Sequence, residues 1–356
     1  MPVVEIVRMT NRNLSDSPIT IIGSIIIILP SERCIVSAAP AVAVIDIGST
    51  RIRYGPATRE GPVAVETERT EPMALTTQVV DIVERLRTQF AGTIRHVSVS
   101  TTGLVDSEQG VIKEFDTVDG ETIHEIPIAF AMTDALGLPT TVENDCTAAT
   151  IGEDVFGAGH QFDTVVHVTF GTGIGGGVVT DGSPIRGEQG YAAEVGLIPI
   201  VADDDVSSTG VRGAWEAYCS GRGIPQFTRH RLATDDRSST LRSTENLSAA
   251  DVFAAADAGD AFAQSILERL AQYNAAGIGA IANTYNPGII TLGGSVALQN
   301  PDWILDGIHR HLDDYVLADP PTVQLTSLGE DIELYGGAAA FFGAKQSAPV
   351  MEQRND

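Results

Sequence analysis

The chain has 356 residues, 43% of them hydrophobic, enough for one large or two medium domains around a well-buried core. Its 22 Lys+Arg stand against 47 Asp+Glu, a net charge of -25, and only Lys113 and Lys345 are lysines. That balance argues against charge-driven binding to nucleic acid or to an anionic membrane.

The acidic residues are spread along the chain, as at Asp203–Asp205 and Glu330–Asp331–Glu333, rather than gathered in a tail. An acidic partner-binding surface is one reading. The other is a solvated surface adapted to high salt, where a Debye length of about 3 Å at molar salt screens the self-repulsion. Three cysteines, Cys34, Cys146 and Cys219, form neither a disulfide framework nor a CxxC pair. A reducing cytoplasm is expected.

The first forty residues differ from the rest. Ile25–Leu29 is a short apolar run, far below the ~20 residues that span a bilayer. The polar stretch NRNLSDS and the lack of a basic start argue against a secretory signal. A buried strand fits there, but residues 1–40 are expected to be a poorly structured or mis-called extension.

Ala41–Asp46 (AVAVID) reads as a strand running into the turn IGST, with Ile52 and Tyr54 alternating along a returning strand. Thr76–Phe90 has a helical period. His96–Ser100 is a short strand ending in the turn TTGLVD, Phe130–Leu136 a helix, and Pro139–Val142 extended. Cys146–Phe156 is helical, and Thr164–Phe170 is a strand that meets the turn GTGIGGG and returns through Gly177–Thr180. Helices follow at Ala249–Ala256 and Ala261–Ile281, a strand at Gly288–Leu292, and helices at Trp303–Leu312 and Tyr335–Phe342. Strands alternating with helices predict an α/β fold. AVAVIDIGSTRIRYG and TVVHVTFGTGIGGGVV repeat one strand–turn–strand pattern roughly 125 residues apart, the spacing of two similar halves.

Turns rich in Gly and Thr expose N–H donors and let an anion approach. Two such turns from facing halves could clasp the phosphates of one nucleotide; the plainer reading is turn geometry alone. Neither is a P-loop, and GTGIGGG is followed by a strand rather than the helix of a dinucleotide site. Asp46 could hold Mg²⁺ through water or simply cap its turn. In VENDCTAA, Asp145 could take a proton from an attacking hydroxyl and Asn144 could hold a neighbouring one, or either could be the helix N-cap.

AVAVIDIGST, VENDCTAATIGE, FGTGIGGGVVTDGSPIRGEQGYAAEVG, RGAWEAYCSGRGI and ITLGGSV, in this order, resemble the ROK family of sugar kinases and related repressors over roughly 41–345. The resemblance implies an α/β, actin-like ATPase (ribonuclease H-like) fold with duplicated domains and a nucleotide/sugar cleft between them. It implies domains over 41–142 and 143–334, with a helix near 335–346 that could return to the first. By position, Asp145 matches the catalytic base. Asn144, Glu194, Glu216, Thr102 and Gly103 match sugar-binding positions. Gly48, Ser49 and Thr50, and Gly171, Thr172 and Gly173, match the two phosphate loops, and Gly293 and Gly294 the adenosine loop.

The implied reaction uses ATP and Mg²⁺ to phosphorylate a hexose at its primary hydroxyl, most readily glucose. The alternatives are an N-acetylhexosamine kinase, or a non-catalytic sugar-binding protein or regulator. A helix-turn-helix repressor needs a longer N-terminal domain than these forty residues, which contain Pro30 and Pro40. Partners are a sugar and a nucleotide, and a homodimer is common in the family. One departure stands out. Where zinc-containing members carry a histidine and three cysteines, this chain has Leu197, Ser207, Thr209 and Ala214. No zinc is expected, and Trp215 could plug the loop.

Overall fold

The computed structural model describes residues 41–90, 94–203 and 206–343, and two short strands, Thr20–Ile22 and Ile25–Ile27, that pair antiparallel. The expectation of a poorly structured extension over 1–40 otherwise lies outside the described residues.

The first half runs β1 (Ala41–Ile47), β2 (Arg51–Thr58), β3 (Gly61–Pro62), β4 (Glu66–Arg69), α1 (Leu75–Gln89) and β5 (Ile94–Thr101). It continues as β6 (Leu104–Asp106), β7 (Val111–Asp116), β8 (Thr122–Ile126), α2 (Ile128–Leu136) and β9 (Thr140–Asn144). Every residue of β1 is buried; AVAVIDI is apolar except for Asp46, as expected of a strand covered on both faces. The sheet order is β9-β5-β1-β2-β3, with β4 also on β2. β1 and β2 form an antiparallel hairpin; β5 and β9 run parallel to β1.

The second half runs α3 (Asp145–Val155), β10 (Thr164–Phe170), β11 (Ile174–Thr180), β12 (Ser183–Pro184), β13 (Ser207–Ser208), β14 (Val211–Arg212), α4 (Glu216–Cys219), α5 (Gly223–Leu232), α6 (Ala249–Asp257) and α7 (Ala261–Tyr285). It ends with β15 (Ile289–Gly293), α8 (Gly294–Gln299), α9 (Pro301–His311), β16 (Thr322–Leu325) and α10 (Ile332–Phe342). Its sheet, β12-β11-β10-β15-β16, repeats the first: a hairpin, β10–β11, then two parallel strands, β15 and β16. The echo in the sequence is therefore a repeat in topology.

Several pieces differ from the sequence reading, among them the strands β4 and β16 and the short helices α4 and α8. TTGLVD is read as a turn and no element is suggested over 111–126, yet β6 in that turn and β7 and β8 after it form an antiparallel meander. Only two residues of β7 are buried, Ile112 and Phe115, with Lys113 and Glu114 between them, so the apolar signal is thin and lacks a strand period. Helix α5 is also unannounced, since its sequence GIPQFTRHRL mixes Pro and basic residues.

The glycines of GTGIGGG need a corrected reason. Only Gly171–Gly173 turn the chain, with Gly171 N–H donating to the Gly173 carbonyl at 3.0 Å. The next three lie within β11. A Cβ on Gly175 would meet Cys146 Sγ at 2.5 Å, and one on Gly177 would meet Thr150 Oγ1 at 2.2 Å. These glycines let α3 press onto the strand, rather than clearing room for phosphate. On its other side α3 meets α10 as closely: a Cβ on Gly336 would stand 1.9 Å from the Ala148 carbonyl oxygen. Helix α10 in turn packs Leu334 and Ala338 against Val42 and Val44 of β1. Helix α3, which begins at Asp145, is thus fixed from both halves.

Trp215 is fully buried; its indole N–H donates to Asn274 at 2.8 Å, and its ring lies against Gly277 of α7. It sits in the main core, edge to face with Phe170. A Cβ at Gly277 would stand 2.4 Å from the ring. Gly277→Ala is expected to lower stability by about 1–3 kcal/mol through overpacking, read by chemical denaturation, although alanine is the better helix former.

Candidate active site

The glycine turns and the candidate residues Asp46, Asn144 and Asp145 sit at or beside the carboxyl ends of strands, where open α/β folds bind ligands. Asp46 is the last residue but one of β1 and Gly48–Thr50 turns into β2; Asn144 closes β9; Gly171–Gly173 follows β10; Gly293 closes β15. The first turn is tight, with Gly48 N–H donating to the Arg51 carbonyl at 3.0 Å; Thr70 braces it, its hydroxyl donating to the Gly48 carbonyl at 2.7 Å and its N–H to the Thr50 carbonyl at 3.1 Å. Ser49 lies partly exposed in this turn, and Thr172 is exposed in the second. Gly294, at φ +79°, sits where a Cβ would strike the Phe170 carbonyl oxygen at 2.4 Å, so the third turn abuts the start of the second.

A cavity of about 260 Å³ is lined by Asn144, Asp145, Glu194 and Gly103, with Glu114 and Asp116 from the meander and Tyr191 at its rim. Asn144 does cap α3: its Oδ1 accepts from the Cys146 and Thr147 N–H groups at 3.0 and 3.2 Å. Its Nδ2 donates to the Gly103 carbonyl at 3.3 Å, tying the cap to the TTG turn. Thr102 lies outside the lining; its N–H donates to the Ile47 carbonyl at 3.1 Å, bridging that turn to β1.

Asp145 is the first residue of α3 and reaches the cavity wall. Burial, with the Asp46 and Glu194 carboxylates behind it, pushes it up to about 7, against the pull of the Cys146 N–H. Glu194 follows Ala193, whose φ of +64° turns the chain there. Burial and Glu216 raise Glu194 as well.

Glu216 is not part of the lining. It is buried under the second glycine turn, where its Oε2 accepts from the Ile174 N–H at 3.1 Å and its Oε1 from the Ser208 hydroxyl at 2.5 Å. Leu197 packs on the main core, and Ala214 is buried opposite Pro199. The loop closes through backbone bonds, Gly213 N–H to the Val206 carbonyl at 2.8 Å and Ile200 N–H to the Gly213 carbonyl at 2.9 Å.

Asp46 is more engaged than the sequence suggests. Its Oδ2 accepts from Arg53 Nε and Nη2 at 3.2 and 2.8 Å, and its Oδ1 from the Ser100 hydroxyl at 3.0 Å. The same Arg53 Nη2 donates to Glu333 of α10 at 2.7 Å. The Asp46–Arg53 pair was within reach of the sequence, because the two stand opposite each other across the hairpin. Glu333 was not, being 280 positions from Arg53. Glu114, Asp116 and Tyr191 also escaped sequence reasoning; only their i, i+2 spacing within β7 puts Glu114 and Asp116 on one face. Asp46 keeps lone pairs beyond these bonds, and Mg²⁺ is commonly held by one or two carboxylates with waters and substrate phosphates, so the residues present fit that ion.

Two sheets that each carry a hairpin and two parallel strands, with glycine turns and carboxylates at their carboxyl ends, define the actin-like ATPase fold shared with hexokinases. Within that class the chain belongs to the ROK family, whose model matches residues 42–344. It is similar to a glucokinase of Halalkalibacterium halodurans, 28% identical over 88% of this chain and 97% of the relative. Among solved structures it resembles the ROK hexokinase of Thermus thermophilus, 25% identical with a TM-score of 0.71, covering 84% of this chain and 96% of the other. It also resembles a ROK glucokinase of Streptomyces griseus in complex with glucose and AMPPNP, 27% identical with a TM-score of 0.68, covering 84% and 98%. Among the described residues, no helix is long and apolar enough to cross a membrane.

Proposed function

We propose that the protein is an ATP-dependent hexose kinase, a glucokinase by preference, that phosphorylates the sugar's primary hydroxyl. The observation that carries the reading is Asp145: a carboxylate on the cavity wall, held near 7 by burial and by Asp46 and Glu194, at the start of a helix packed against both halves. A base poised near neutral pH is what proton removal from an alcohol needs. Asn144 and Glu194 would orient the sugar, with Thr102 and Gly103 shaping the turn beside it. The turns Gly48–Thr50 and Gly171–Gly173 would present N–H groups to the donor's phosphates, and Gly293–Gly294 would sit by the adenosine. Glu216 would act from behind the second turn, shaping the sugar site through Ile174. Asp46 would hold Mg²⁺ through water; that ion supplies charge neutralisation to the phosphates when bound.

The division into domains over 41–142 and 143–334, with α10 returning to the first, is part of the same reading and is supported by the two repeated sheets. So are a cytoplasmic location, a homodimer, and adaptation to high salt, the last supported by the net charge of -25. Hexoses and N-acetylhexosamines incubated with ATP and Mg²⁺ at multimolar KCl should release ADP, fastest with glucose. Release with N-acetylmannosamine alone would move the assignment to a hexosamine kinase. No release with any sugar would leave a binding protein.

We also read the loop as free of zinc, since Leu197 and Ala214 offer no ligand atom and Ser207 and Thr209 only neutral hydroxyls. Elemental analysis of purified protein is expected to find no stoichiometric zinc; one zinc per chain would overturn this.

A further inference from the structure

Arg222 caps the N-terminal end of α5, and its backbone is clipped to the second glycine turn. Its N–H donates to the Thr172 carbonyl at 3.2 Å, and the preceding Gly221 N–H to the Gly171 carbonyl at 2.8 Å. Its Nη2 lies 4.0 Å from where a Cβ on Gly173 would stand. The side chain is exposed, and among the described residues it makes no ion pair or side-chain hydrogen bond. Two other arginines near the cleft are paired, Arg53 with Asp46 and Glu333 and Arg186 with Glu143, while Arg51 belongs to the first turn and not the second. The carboxylate facing Arg222 is Glu216, whose Oε2 stands 2.7 Å from the same Gly173 point. Its oxygens already accept from the Ile174 N–H and the Ser208 and Thr209 hydroxyls.

We propose that Arg222 binds the phosphate tail of the phosphoryl donor, supplying the fixed positive charge of the Gly171–Gly173 turn. The proposal rests on the kinase reading above. A donor tail entering this cleft meets Asp145 and Glu194 on the cavity wall and Glu216 beneath the turn, while Asp46 is already paired with Arg53, so an added cation at the second turn favours the tail. A guanidinium offers a planar fork matched to phosphate oxygens. Here it starts from a backbone already anchored to the turn, which limits the ordering cost of binding.

The test compares the wild type, Arg222→Gln, Arg222→Lys and a control, Arg231→Gln, an exposed arginine at the far end of the same helix. Calorimetry with AMPPNP and with adenosine, together with KM values for ATP and for glucose, separates the parts of the site. Losing a charged hydrogen bond predicts AMPPNP affinity down, and KM for ATP up, by about tenfold to a hundredfold in Arg222→Gln. Adenosine binding and KM for glucose should be unchanged, Arg222→Lys intermediate, and Arg231→Gln like the wild type. Unchanged AMPPNP affinity in Arg222→Gln overturns the proposal. So does an equal loss for adenosine and glucose, which would mean that α5 has been damaged. If Arg222→Gln does not fold, Arg222→Lys carries the comparison, and wild-type affinity for both ligands in Arg231→Gln remains required. A wild type that binds no nucleotide defeats the kinase reading itself, a different failure.

Discussion

Asp145→Asn is expected to lower kcat by about 10²–10⁴, the usual worth of a positioned general base, while glucose affinity changes little. The amide keeps the shape and still fits the first turn of α3, where Asn144, not Asp145, supplies the main cap. What is lost is the acceptor for the hydroxyl proton. The wild type carries a matching signature in pH. Asp145 must be ionised to act, and burial with Asp46 and Glu194 nearby holds it up to about 7. The kcat/KM for glucose should therefore be low at pH 5.5, rise through about pH 7, and level off above it. Steady-state kinetics across pH 5.5–8.5, with glucose binding measured separately, checks both points. A variant that keeps turnover, or a flat profile, would remove Asp145 from the role of base.

Arg53→Ala is expected to cost about 3–5 kcal/mol of stability, the usual effect of breaking a buried pair from one side. Arg53 Nη2 bridges Asp46 and Glu333 at 2.8 and 2.7 Å, and its side chain is only 13% exposed. Removing it leaves two carboxylates close together with no cation between them. The bond also ties the hairpin of the first sheet to the start of α10, so the loss should loosen the contact between that helix and α3. Arg53→Lys should recover only part of the stability, because one ammonium cannot reproduce the fork. Urea denaturation measures both variants. A loss under about 1 kcal/mol would mean that the network behaves as an exposed, solvent-screened pair.

Most of the scaffold could be read from the sequence because its signals are local. AVAVIDI is apolar except for Asp46 and Thr76–Phe90 repeats with a helical period, and each became its element within a residue or two. The repeated strand–turn–strand pattern carries the duplication of the sheets. The cavity was legible where a motif crossed a strand end, as at Asn144–Asp145. It was not legible where partners meet only in three dimensions. Glu333 reaches Arg53 across nearly the whole chain, and Glu114 and Asp116 arrive on a meander with too few apolar residues to announce itself. The glycines of β11 show a third kind of gap. Composition reveals that something approaches closely, but not whether it is a phosphate or, as at Gly175 and Gly177, the face of a helix.

The most direct measurement is a crystal structure of the protein soaked with glucose and AMPPNP. The expected result is the sugar's primary hydroxyl within about 2.6–3.2 Å of the Asp145 carboxylate, with the terminal phosphate between Gly48–Thr50 and Gly171–Gly173. A sugar bound away from Asp145, or a nucleotide tail that touches only one of the two turns, would contradict the mechanism.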